Sequence, residues 1–153
     1  MTKINVAIVD DEQLIIQGLK MLLEHDAEIQ VTNIAYNGVQ LFEQIQENRF
    51  EADIILLDIS MPVMDGIDTL LKINELKLPY KVIILSSHYN DGMIVRFLDE
   101  GVSGFLAKNE HPDDVIHTIK NVHSKGFHIN EYIMNLIRNR RLMAKNKKYN
   151  ENL

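Results

Sequence analysis

Short apolar runs alternate along the chain with stretches in which apolar residues recur every three or four positions. The clearest run is Ile54-Ile55-Leu56-Leu57, which leads straight into Asp58. It is too short for a helix and apolar on both faces, so it suits a strand buried inside a parallel sheet. Lys3–Val9 predicts an earlier strand ending in Asp10-Asp11-Glu12, and Ile29–Tyr36 predicts a second. Lys81–Ser86 and the short segment Gly104–Lys108 predict two more. The intervening periodicity predicts helices over residues 12–25 (Leu14, Ile15, Leu19, Leu22, Leu23), 39–48 (Val39, Leu41, Phe42, Ile45) and 66–76 (Ile67, Leu70, Leu71, Ile73). Asp91 is placed as the cap of a fourth helix that buries Ile94, Phe97 and Leu98 and stops at Gly101. Pro112 opens a fifth, where its missing N–H costs nothing; Val115, Ile116, Ile119 and Val122 line its inner face and Gly126 ends it. A last helical stretch covers about 130–143.

Strand and helix therefore alternate five times. Right-handed crossovers turn that order into an α/β fold, a doubly wound parallel sheet with helices on both faces. Ligands of such sheets bind outside the carboxyl ends of the strands. Those ends carry Asp10 and Asp11, Asp58, Ser86 and Lys108. Each has a bland alternative when taken singly: an acid caps a helix, sits in a turn or is simply solvated. Polar chemistry at four of five buried strand ends does not. Three carboxylates with only oxygen neighbours suit a hard cation such as Mg²⁺ or Mn²⁺. Beside a metal and a lysine, Asp58 becomes an ionised carboxylate facing an electropositive pocket that attracts a phosphoryl group, and aspartate nucleophiles do form acyl phosphates.

Composition narrows the setting. The 153 residues are 46% hydrophobic and 25% charged, enough for one domain with a sizeable core and an appendage. The absence of cysteine fits a reducing cytoplasm, and there is neither an apolar run of membrane length nor a signal-peptide start. No GxxxxGK[ST] or GxGxxG supports nucleotide binding, and the six histidines form no ligand pattern; His117 and His123 belong on a helix surface. The net charge of −6 is uneven: residues 1–137 hold 10 Lys/Arg against 21 Asp/Glu, and residues 138–153 hold 6 against 1. An acidic body does not grip nucleic acid by charge.

VDDE at 9–12, LLDISMPVMDG at 56–66, LS at 85–86 and GFLAK at 104–108 make residues 3–125 resemble the receiver domain of bacterial two-component response regulators. The resemblance implies a flavodoxin-like sheet in the order 2-1-3-4-5, with Asp58 as phosphoacceptor. It makes Asp10 and Asp11 the metal-binding pair, with the main-chain carbonyl of Ser60 as a further ligand. It makes Ser86 the switch hydroxyl, Lys108 a phosphoryl contact, and Phe105 the aromatic whose rotamer follows Ser86; read from composition alone, Phe105 is an ordinary core residue. By the same resemblance Ser60 and His88, two beyond Asp58 and Ser86, are expected to flank the path of the attacking water and to tune dephosphorylation. Met61, Met64 and Met93 are expected to be packing residues.

Asn109 stands where many receivers carry proline, and the sequence KNEHPDD around it looks like the LuxR/NarL-type subfamily. That resemblance divides the chain into a receiver over residues 1–126 and, over 127–153, a linker helix and basic tail toward a helix-turn-helix domain that the chain lacks. The implied function is a phosphorylation-controlled response regulator rather than an enzyme. A sensor histidine kinase is its implied donor, a phosphorylation-dependent homodimer its implied assembly, and DNA a partner only through the missing domain. A stand-alone receiver is the alternative. The cations of the tail also suit a solvated helix end. A phosphohydrolase of the haloacid-dehalogenase kind fits less well, because its DxD pattern is absent and no cap insertion is visible.

Overall fold

A computed structural model describes residues 2–151; residues 152 and 153 of the expected basic tail lie outside the described residues. The elements run β1 (Ile4–Val9), α1 (Gln13–Glu24), β2 (Ile29–Ala35), α2 (Gly38–Gln46), β3 (Ile54–Asp58), α3 (Gly66–Glu75), β4 (Lys81–Ser86), α4 (Asp91–Asp99), β5 (Gly104–Ala107), α5 (Pro112–Lys125) and α6 (Glu131–Glu151). The sheet is parallel throughout, in the order β2-β1-β3-β4-β5. This is the flavodoxin-like arrangement expected from the sequence, with the C-terminal helix present.

Alternation along the strands divides the core in two. Ala7, Val9, Ile55, Leu57 and Ile84 face the cluster under α2, α3 and α4, with Leu41, Leu70 and Phe97. Ile8, Leu56, Ile83 and Leu106 face α1 and α5, with Ile16, Leu23, Val115 and Ile119. β3 is buried along its whole length, which is why its sequence shows no polar alternation. Met61 is buried, and Met64 and Met93 pack against the first cluster, as expected of packing residues.

Several local expectations are corrected. Leu14 does not line the buried face of α1; it is 85% exposed, and Ile16 takes the inward position. Asn90, not Asp91, caps α4: its extended backbone lets Oδ1 accept from the N–H of Met93 at 2.8 Å, and Asp91 becomes the first helical residue. The last helix is longer than the apolar pattern indicated, because its distal half has no buried face to mark it and neither glycine nor proline to stop it.

α6 lies along α4. The hydroxyl of Tyr132 donates to Asp91, and Arg140 grips Asp99 with two parallel bonds of 2.6 and 2.9 Å. Both pairs are separated by 41 residues, so the two helices run side by side in the same direction and in step.

Candidate phosphoacceptor site

The carboxyl edge of the sheet gathers the expected residues. Asp10 follows β1, Asp58 closes β3, Ser86 closes β4 and Lys108 follows β5. Asp10 and Asp58 are buried, at 0% and 2% exposure, whereas Asp11 and Glu12 are exposed. One carboxylate oxygen from each of these four acids lies within 4.8 Å of the others.

Asp10 and Asp58 are held alike. Oδ1 of Asp10 accepts from the N–H of Glu12 at 2.8 Å, and Oδ1 of Asp58 accepts from the N–H of Ser60 at 3.3 Å. The second oxygen of each is buried and receives no directed hydrogen bond. Both lie near the ammonium of Lys108, at 3.1 Å from Asp10 and 3.2 Å from Asp58. The ammonium's one directed bond goes to Glu12, at 2.7 Å. Lys108 thus enters the carboxylate cluster itself and neutralises part of it.

Burial is the largest influence on Asp58 and, with the neighbouring charge of Asp10, pushes its carboxyl up to about 6; Lys108 and the Ser60 N–H pull the other way. Burial likewise raises Asp10, against the Glu12 N–H and Lys108. Burial works against the Lys108 ammonium, but Glu12, Asp10 and Asp58 together hold its pKa above the ordinary lysine value. Two buried, underbonded carboxylate oxygens that share one cation form a hard, oxygen-rich donor set, which fits a divalent cation of the Mg²⁺ type.

Gly66 fixes the position of Asp58. A Cβ on Gly66 would meet the Asp58 carbonyl oxygen at 2.4 Å, so only glycine lets α3 begin this close to the strand end. Asp65 caps that helix by accepting from the N–H of Asp68 at 2.9 Å. In the loop between, Val63 adopts φ of 68°, a left-handed conformation rare for a β-branched residue.

Ser86 is near the acids in the fold, but its hydroxyl is engaged by the loop that follows. Oγ donates to the carbonyl of His88 at 2.6 Å and accepts from the His88 N–H at 3.2 Å. Ser60 and His88 are both exposed. Phe105 is half-buried and packs edge-on against Phe97 and Tyr89, with centroids at 6.5 and 5.7 Å. No cis peptide bond occurs among the described residues, including the one after Lys108.

Two participants escaped the sequence. Glu12, which reads as a solvated neighbour of the acidic pair, is the hydrogen-bond partner of Lys108 across 96 residues. Tyr89, in a polar loop, turns inward and donates its hydroxyl to main-chain carbonyls of β4 and β5. An aromatic residue among Ser87, His88 and Asn90 was the one visible signal.

A parallel sheet of this order, with an acidic cluster, a hydroxyl and a lysine at its carboxyl edge, defines the receiver class. Residues 6–120 match the family model described as the response regulator receiver domain, and the chain belongs to that family. Its relatives are LuxR/NarL-type regulators. It is 35% identical over 123 residues to the transcriptional regulatory protein LnrK of Bacillus subtilis, covering 80% of this chain and 55% of that one. It is 32% identical over 111 residues to the nitrate/nitrite response regulator protein NarL of Escherichia coli, covering 72% and 50%. Among solved structures, the signal receiver domain of NarL from Mycobacterium tuberculosis superposes with a TM-score of 0.72 at 26% identity, over 79% of this chain and 96% of that one. The chain thus spans roughly half the length of the curated relatives it matches. No described helix is long and apolar enough to cross a membrane.

Proposed function

We propose that this chain is a phosphorylation-controlled switch in which Asp58 accepts a phosphoryl group from a histidine kinase. The observation that carries the reading is the bare Oδ2 of Asp58, buried and 3.2 Å from Lys108 at the end of the central strand. With its carboxyl near 6, Asp58 is mostly ionised at neutral pH and can act as a nucleophile. Its oxygen attacks phosphorus, the P–N bond of the donor phosphohistidine breaks, and the imidazole nitrogen keeps the electron pair and takes a proton. Lys108 neutralises charge gathering on the phosphoryl oxygens. Asp10, Asp11, Asp58 and the main-chain carbonyl of Ser60 would hold Mg²⁺ or Mn²⁺, which supplies further charge neutralisation when bound. Ser86 then exchanges its His88 contacts for a phosphoryl oxygen, a contact that exists in one state only and so shifts the population. Phe105 follows that movement, and Ser60 and His88 tune loss of the group to water. The chemistry is confined to gaining and losing this one group, so the chain is a switch rather than an enzyme with turnover.

The output is transcriptional, in the cytoplasm. Residues 127–153 would serve as the linker from the receiver (residues 1–126) to a DNA-binding domain outside this chain, with phosphorylation favouring a homodimer. The names and lengths of the relatives support this reading over a stand-alone receiver. The test is intact-mass analysis after incubation with acetyl phosphate. One added phosphoryl group with Mg²⁺ and none after chelation are expected; no gain, or a gain indifferent to Mg²⁺, contradicts the proposal.

A further inference from the structure

Tyr89 sits between the end of β4 and the start of α4, in a loop whose neighbours Ser87, His88 and Asn90 are exposed. Its ring nevertheless turns inward and meets Phe105 edge-on at an interplanar angle of 87°. Its hydroxyl reaches the Leu106 carbonyl at 2.6 Å and the Ile84 carbonyl at 3.0 Å. One phenolic proton is therefore shared between two adjacent strands, and the loop is tied to both. The residue just before it, His88, holds Ser86 through its carbonyl and its N–H.

The β4–α4 loop is thus pinned at two consecutive residues, by Ser86 at His88 and by the strand carbonyls at Tyr89. Ser86 cannot turn toward Asp58 without giving up both bonds to His88. The His88 peptide it leaves behind cannot move freely while Tyr89 stays anchored one residue on. The longer-reaching anchor is on β5, two residues before Lys108, so the same hydroxyl ties the loop to the strand that delivers the lysine.

We propose that Tyr89 is a positioning residue that holds this loop in its unphosphorylated arrangement, and that its hydroxyl leaves the Leu106 and Ile84 carbonyls when Ser86 turns toward a phosphoryl group on Asp58. The proposal rests on Asp58 being the phosphoacceptor. It adds a restraint that acts through Ser86 and is separate from the rotamer of Phe105.

Tyr89→Phe keeps the ring and its edge contacts and removes only the anchor. The full chain is titrated with beryllofluoride at saturating Mg²⁺, and the amide resonances of residues 86–90 and 104–108 are followed. Loss of one hydroxyl contact from one state only should lower the half-saturating concentration about 3- to 10-fold. A merely structural role would loosen the fold without making the switch easier to throw. If wild type responds and Tyr89→Phe needs the same or more beryllofluoride, the anchor is overturned and the phosphoacceptor reading stands. If wild type does not respond, both fall. Should the variant not fold, wild type labelled with ¹³C at tyrosine Cζ decides, with Tyr89 assigned by phenylalanine substitution of Tyr36, Tyr80, Tyr132 and Tyr149. A Tyr89 hydroxyl whose exchange with solvent, read from the H/D isotope shift at Cζ, quickens at saturation supports the proposal, and one that stays slow overturns it.

Discussion

The Ser86 hydroxyl and the His88 backbone close on each other through two hydrogen bonds, of 2.6 and 3.2 Å, so the hydroxyl at the end of β4 is committed to its own loop rather than to Asp58. Ser86→Ala removes the resting bonds and the proposed phosphoryl contact together. The variant should still gain one phosphoryl group, while the shift of the face formed by α4, β5 and α5 shrinks. NMR shifts and dimerisation on phosphorylation measure this; a shift of wild-type size removes Ser86 from the mechanism.

Lys108 should matter to the metal-free fold as well as to the chemistry. Lys108→Met leaves the bare oxygens of Asp10 and Asp58 buried without a cation. Removing one partner of a buried ionic cluster costs about 3–5 kcal/mol. Denaturant melts in chelator should show that loss, and Mg²⁺ should restore part of it by linkage. A variant as stable as wild type in chelator contradicts the neutralising role.

The pH dependence in chelator has a definite sign. The carboxyl of Asp58 stands at about 6 in the fold against an ordinary value of 3.8, so the folded state holds this proton more tightly than the unfolded chain. That contribution is complete below the unfolded value and is lost as pH rises through about 6. The difference between 3.8 and about 6, which already includes the opposing pull of Lys108, corresponds to an upper bound of about 3 kcal/mol. The stability difference between Asp58→Asn and wild type should therefore grow in favour of the variant from pH 4 to 7, and shrink with Mg²⁺. A difference that is flat across this range refutes the assignment of the raised carboxyl to Asp58.

Asp11 is the exposed member of the acidic pair, so its charge is the easier one to remove. Asp11→Asn should relieve repulsion, raise the melting temperature without metal and blunt the rise on adding Mg²⁺. Lower stability than wild type in chelator would contradict the like-charge picture.

Arg140 and Asp99 join α6 to α4 at an exposed, bidentate contact. Arg140→Ala should speed hydrogen exchange in α6 and leave phosphorylation of Asp58 unchanged. Unaltered exchange would show that Ile133 packing and the Tyr132–Asp91 bond keep the helix in place without Arg140.

The strand ends were legible because buried parallel strands are continuous apolar runs, and the first polar residue after each run marks the sheet edge. Asp10, Asp58, Ser86 and Lys108 were found that way. Leu14 was misplaced because Leu14-Ile15-Ile16 is an unbroken apolar run, and only phase against the buried Leu23 separates its members: Leu14 lies about half a turn out and Ile16 nearly in line. Asn90 and Asp91 are both competent caps, and only the backbone angles of Asn90 choose between them. The Glu12–Lys108 bond and the inward turn of Tyr89 join chain segments far apart in sequence and follow no period, so neither leaves a pattern to read.

Asp58 is proposed as the single acceptor at this edge. The most direct measurement weighs wild type and Asp58→Asn side by side after acetyl phosphate and Mg²⁺. One phosphoryl group is expected on wild type and none on the variant. A variant that still gains one contradicts the proposal.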